Sequence, residues 1–346
     1  MTYLMMLWGA LALAEDPVPQ ENTEDSQLPA EAEIDSEAPL EDVGADEGQL
    51  SEEEYFASLA DAELVDMVLA RRQSGHYDDA LRYLAVLQAR DSNVDYWFEE
   101  ALLLELKEQY ADSAQRYKMI LEIPELDPVF RRNVQFRYGI VLSDMGLDHE
   151  ALVVFREAAG SKDLAEHEKL ILEYARGVAY IYAGKTRKGV RKINKALLKQ
   201  NSETGTWIEA RARAALVYVL IEESESLTFE KPKKTAQRFQ KRSELVGSAE
   251  EQIVVMINLG EPEYVLRSLI LLSDAYFQVA AELRVALPPP ELNREQQILF
   301  QRKQMERADF IDERGRSYCA KGLGYSDQMG FDGTARSALE SCAESQ

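Results

Sequence analysis

Histidine and cysteine are scarce in this chain, at three and two copies in 346 residues. Transition metals are held by sets of such side chains at short spacing. None of His76, His149 and His167 stands within helical spacing of another His or of a Cys, so no metal centre is expected and the three read as solvated surface residues. No phosphate-binding glycine loop, dinucleotide fingerprint or His-Glu-x-x-His segment occurs. Gly322-Leu323-Gly324 lacks the strand-helix context of a nucleotide loop and reads as part of a Gly-rich turn, and Asp327 to Gly333 has too few spaced oxygen ligands for a calcium loop. These absences predict no enzyme and no cofactor.

Lysine and arginine are missing altogether from Met1 to Glu54, which holds 16 of the 62 acidic residues. The remainder carries 46 acids against 39 bases, a net of −7 where the whole chain has −23. The acidity therefore belongs mainly to a tail, which argues against an acidic nucleic-acid mimic. Long apolar runs are also lacking. Tyr3 to Leu13 is apolar over about eleven residues, short of the roughly 20 a spanning helix needs. Ala12-Leu13-Ala14 before Glu15 matches a small-x-small cleavage site. Residues 1–14 are thus read as a signal peptide, although no Lys or Arg precedes the run; the other reading is an uncleaved apolar N-terminus. Export to the periplasm or another part of the bacterial cell envelope is expected, with no membrane span once the signal is removed. No Cys follows the apolar run, which excludes lipoprotein anchoring by that route. Residues 15–52, poor in aromatics and rich in Glu, Asp, Pro, Ser and Ala, read as a disordered acidic linker, because they cannot bury enough apolar surface to offset the entropy of ordering. An even cysteine pair, Cys319 and Cys342, in an exported chain predicts one disulfide; the alternative is two small buried hydrophobes.

What the chain does have is a recurring pattern. Gly75-His76-Tyr77-Asp78-Asp79-Ala80, Glu108-Gln109-Tyr110-Ala111-Asp112-Ser113, Gly146-Leu147-Asp148-His149-Glu150-Ala151 and Gly184-Lys185-Thr186-Arg187-Lys188-Gly189 follow one another at 33 to 38 residues. In each, a Gly or polar residue ends one helix and a small residue five positions on lets the next pack closely. Tyr138, Gly139 and Leu142 precede one turn and Phe155 and Ala158 follow it; Gly177 and Tyr180 precede the next, with Ile193 and Ala196 after it. A period near 34 with small-aromatic-small spacing marks a helical solenoid. Over roughly residues 57–200 the pattern resembles the tetratricopeptide repeat (TPR) family. Departures are Arg71 where an aromatic is usual, Glu108 for the turn glycine, and Gly189 for alanine. The resemblance implies an all-α, TPR-like α-α superhelical solenoid and a non-catalytic binding role.

Further helices are expected over Trp207 to Glu223, about Pro232 to Val246, and from a Ser248/Glu251 capping box to Leu259. Gly260 stops that helix and Pro262 opens the next, which runs to Leu287 before Pro288-Pro289-Pro290. Asn293 with Gln296 caps a long polar helix to about Gly322, and a short helix covers Thr334 to Cys342. The domains expected are repeats over 53–246 and a C-terminal long-helix cap over 247–346. The apolar helix, proline break and charged helix resemble TPR proteins of the myxobacterial-type cell envelope, some of which belong to trans-envelope machinery; this implies an envelope setting.

Two candidate surfaces emerge. Registering the chain on the TPR pattern aligns Phe98, Phe136 and Tyr174 at one groove position and Leu102, Ile140 and Val178 at the next. These apolar rows do not suit a carboxylate clamp; they predict a groove for an apolar segment of a protein partner, unless neighbouring helices cover them. The second surface is basic. Lys188, Lys192, Lys195 and Lys199 share one helix face, and Lys233, Lys234 and Arg238 belong to a second cluster with Arg242. Such a face suits an anionic envelope polymer, lipid headgroups or the acidic tail, or is simply solvated. Nucleic acid is not expected, since aromatic interleaving is lacking and export conflicts with it.

Overall fold

The computed structural model describes residues 55–56, 58–199, 205–229 and 235–344. The signal-like segment, the acidic linker, Lys233 and Lys234 lie outside them. Tyr55 and Phe56 belong to a unit that ends at Ala57, and everything that follows concerns the unit from Ser58 onward.

Among the described residues the chain is all α-helix. Four hairpins come first: α1 (Asp61–Gln73) with α2 (Tyr77–Arg90), α3 (Val94–Leu106) with α4 (Tyr110–Leu121), α5 (Pro128–Asp144) with α6 (Asp148–Ala158), and α7 (Glu166–Tyr182) with α8 (Thr186–Leu197). Each helix packs on its hairpin partner, and α5, α7 and the following α9 (Thr206–Glu225) also pack on one another in sequence. The hairpin turns explain why the sequence repeats. Gly75, Glu108, Gly146 and Gly184 all adopt the left-handed conformation, with φ of 80°, 61°, 76° and 73°. The amide after each reaches back five residues, to the carbonyls of Arg71, Leu104, Leu142 and Tyr180 at 2.8–2.9 Å. This is the Schellman closure, which satisfies carbonyls that a helix end leaves open. Glycine takes that backbone freely; Glu108 does not, and its side chain is held by an ion pair to Arg267 at 2.7 Å.

The small residue five positions after each turn, Ala80, Ser113, Ala151 or Gly189, is buried in every hairpin. Ser113 donates to the Ala101 carbonyl at 2.7 Å, so even the polar member is satisfied across the pair. Hairpin cores are completed by matched pairs: Ala101 with Tyr117, Gly139 against Phe155, and Gly177 against Ile193.

The remaining helices are α10 (Thr235–Leu259), α11 (Pro262–Arg284), α12 (Arg294–Met329) and α13 (Arg336–Glu344). Three expectations are corrected. α10 is continuous through residues 246–248, so the expected repeat boundary falls inside a helix and Ser248 is not a cap; Ala249 and Ile253 continue its buried stripe. α12 runs through Gly322 and Gly324 and stops at left-handed Gly330. Gly322 is a packing residue there: a Cβ would lie 2.8 Å from Leu339 of α13. Asn293 and Gln296 do form the reciprocal cap, each 3.0 Å from the other's backbone amide. Helices α11 and α12 run antiparallel, with Arg284 on Asp309 and Asp312, Ser273 on the Gly315 carbonyl, and Tyr276 stacked on Tyr318. Cys319 of α12 and Cys342 of α13 are joined by a disulfide with their Cα atoms 6.0 Å apart.

Candidate functional site

The two apolar rows do not form an open groove. Leu102, Phe136, Ile140, Tyr174 and Val178 are all buried, and Phe98 is half-buried between Tyr117 and Phe130. Their recurrence reflects the packing of one hairpin on the next: at this helix face the neighbours are apolar helices, and water is excluded. These six are core residues.

Beside them the odd-numbered helices carry charges that the C-terminal region covers. Glu105 of α3 accepts from Arg137 of α5 at 3.1 Å and from the Tyr117 hydroxyl at 3.0 Å. Arg137 stacks on Trp207, 3.6 Å from the ring centre. Arg211 of α9 grips both carboxylate oxygens of Asp144 at 3.0 and 2.6 Å. Burial pushes the Glu105 carboxyl above its ordinary range, against the pull of Arg137. Burial would lower Arg211, but Asp144 together with the Tyr264 and Tyr182 phenols more than offsets it and holds the guanidinium charged. The first turns of α11 close over this network. The Tyr264 phenol is pushed up to about 12, chiefly by burial, and Arg267 bonds Glu263 and Glu108 at 2.7 Å each. At the far end, the loop after α12 docks on the first hairpin turn, where the Asp332 amide donates to the Ser74 carbonyl at 2.8 Å. Breaking a buried ion pair of this kind is costly, because it leaves a buried charge without its partner.

An open surface lies beside the fourth hairpin. A trough of about 440 Å³ runs between the end of α6, α7 and α8. Its floor includes Leu164, Leu170 and Leu172, and its walls present Lys162, Lys169, Arg176, Lys195 and Lys199 with only Glu166 and Glu173 as acids. Lys169 pairs with Glu166 at 2.6 Å, and Glu173 is taken by Lys192 at 2.5 Å. Lys162, Lys195 and Lys199 are exposed and enter no ion pair among the described residues. Of the expected basic face, then, Lys195 and Lys199 line the trough. Lys192 is neutralised on Glu173, and Lys188 lies over the Tyr180 ring at 3.9 Å. Of the second cluster's described members, Arg238 is half-buried and donates to the Thr228 carbonyl, and Arg242 is buried against Glu282 and the Phe229 ring. The seven-residue spacing of Lys162, Lys169 and Arg176 signals one face of α7 and its lead-in, and was the cue that would have located the other wall.

His149 is exposed and His76 and His167 are half-buried. Among the described residues no three His, Cys, Asp or Glu side chains converge as a metal site, and no helix is long and apolar enough to cross a membrane. No protein-family model matches the chain, and no curated protein matches it.

Proposed function

We propose that this chain is a non-catalytic protein-interaction scaffold of the TPR type, working in the bacterial cell envelope and engaging an anionic segment of a protein partner in the α6–α8 trough. One observation carries the reading: a repeat-built hairpin face presents, over an apolar floor, three lysines without an ion pair among the described residues, while the apolar rows expected to line a groove are packed between hairpins. A segment with acidic side chains on one edge and an apolar residue or two on the other meets both features. The envelope setting rests on the apolar run and Ala12-Leu13-Ala14 site of the sequence. The second reading is an anionic envelope polymer. It is favoured by Lys162, Lys195 and Lys199 acting as separated point charges, which suits a repeating polyanion.

Salt separates the two. Binding through exposed point charges alone is largely screened by about 0.5 M salt, where the Debye length falls to a few ångströms; a protein segment seated on Leu164, Leu170 and Leu172 retains part of its affinity. The test is recovery of partners from envelope fractions with wild type and with Lys162→Glu/Lys195→Glu/Lys199→Glu, at low and high salt. A partner protein that the variant loses, and that survives high salt with wild type, supports the first reading. Equal recovery by both proteins removes the trough from the account.

A further inference from the structure

Another exposed apolar surface lies on the first half of α12. Ile298, Met305 and Phe310 are 60%, 53% and 60% exposed, and Leu299 is 45% exposed. The side of α12 that packs on α11 is a different one, marked by Gln304, Ala308, Ile311 and Gly315. At about 100° per residue, Ile298 and Met305 flank one edge of the outward side and Leu299 and Phe310 the other, each roughly 90–150° round from the middle of the packed side.

The charges on the outward side form a pattern. Glu295, Arg302, Asp309 and Arg316 recur at seven-residue spacing, acid and base alternating. Rotated by 180° about an axis through the helix between Met305 and Glu306, the row is its own complement. Glu295 of one helix meets Arg316 of the other, and Arg302 meets Asp309, so one operation makes four unlike pairs. In the same register the two Met305 side chains meet near the axis, and Leu299 comes alongside Phe310 of the second copy. A parallel pairing would set Arg302 on Arg302, and like charges at a contact are costly.

We propose that the outer face of α12 pairs antiparallel with α12 of a second copy of this chain, forming a two-fold homodimer over residues 294–316. The contact would be about 34 Å long at 1.5 Å per residue, and an isologous interface of this kind is the commonest route to a soluble oligomer. Present partners do not block it. Arg302 reaches Glu306 at 3.2 Å, Asp309 is reached by Arg284 from the end of α11 at 3.0 Å, and Arg316 reaches Glu313 at 3.1 Å and Asp312 at 3.7 Å; these partly exposed pairs are weak and can exchange.

Sedimentation velocity of the full chain tests this across a concentration series. A monomer–dimer equilibrium is expected for wild type. Arg302→Glu and Asp309→Arg, made singly, should each weaken it at least about tenfold, because each creates two like-charge contacts across the axis. The combined Arg302→Glu/Asp309→Arg variant should recover the wild-type constant, since only a two-fold antiparallel register restores both pairs. Ile298→Ser/Phe310→Ser should be monomeric with unchanged helicity, both side chains being mostly exposed. A wild-type monomer at up to about 1 mM, the range of barely specific association, would overturn the proposal. So would a dimer that the double reversal fails to rescue while thermal melts show every variant folded.

Discussion

Two glycines inside helices should respond to the same substitution with opposite sign. At Gly189 of α8 a Cβ would stand 2.5 Å from the Gly177 carbonyl oxygen, 2.9 Å from the Ile181 amide nitrogen and 2.6 Å from Ile181 Cγ1. Two of those atoms are backbone, so no rotamer change relieves the clash and α7 and α8 must separate. Overpacking of this sort costs about 1–3 kcal/mol, and a backbone obstacle puts Gly189→Ala near the upper end. The better helix propensity of alanine returns about 1 kcal/mol, leaving a net loss of roughly 1–2 kcal/mol. At Gly324 of α12 nothing lies within 4 Å of the same Cβ. Gly324→Ala should therefore stabilise by about 0.5–1 kcal/mol through propensity and a less flexible unfolded chain. Urea denaturation followed by circular dichroism measures both. The reasoning fails if Gly189→Ala is as stable as wild type, because α7 and α8 would then not cross as closely as Gly177 and Gly189 require.

Removing Arg211 should be severe: Arg211→Ala leaves the largely covered Asp144 without its bidentate partner, and since breaking a fully buried pair costs about 3–5 kcal/mol, a loss toward the lower end of that range is expected, read as a lower urea midpoint. Burial, with the Glu222 carboxylate beside it, raises Glu225 above its ordinary value of 4.5. A carboxyl raised on folding makes the native state bind its proton more tightly, so stability falls as pH rises from the unfolded value through the folded one. Glu225→Gln should consequently stabilise the protein at pH 7, with the gain shrinking as pH falls through the raised folded value and gone below about 4.3, the unfolded one; a gain that is the same at pH 7 and pH 4 would refute this. Reducing Cys319–Cys342, which are 23 residues apart, should cost about 3 kcal/mol in the chain-entropy model. It should also raise amide exchange in α13 selectively; two thiols titrating in unreduced, unfolded protein would contradict the bond.

The hairpins were legible because their determinants are local. A turn that needs left-handed backbone selects Gly75, Gly146 and Gly184, and a helix crossing that needs a small side chain selects Ala80, Ser113, Ala151 and Gly189. The cap at Asn293 was legible for the same reason. What could not be read was which apolar face stays open. Phe98 and Phe136 recur at repeat spacing whether they face a partner or the next hairpin, and only the packing of α3, α5 and α7 decides between those. Gly322 looked like a loop residue because its reason for being glycine, Leu339, arrives from another helix 17 positions later. Arg242 looked like surface charge because Glu282 and Phe229, which bury it, are remote in sequence. Half of the trough was visible in the Lys195–Lys199 face, and the other half lay in α7, where Lys169 and Arg176 are diluted by neighbouring acids.

Site-specific photo-cross-linking in living cells tests the central claim most directly. A photoreactive residue placed at Leu198, which is 90% exposed between the trough lysines Lys195 and Lys199, should capture a discrete protein partner. That capture should disappear when Lys162, Lys195 and Lys199 are reversed to glutamate. A partner captured equally well with the lysines reversed, or captured only from positions remote from α7 and α8, would contradict the account.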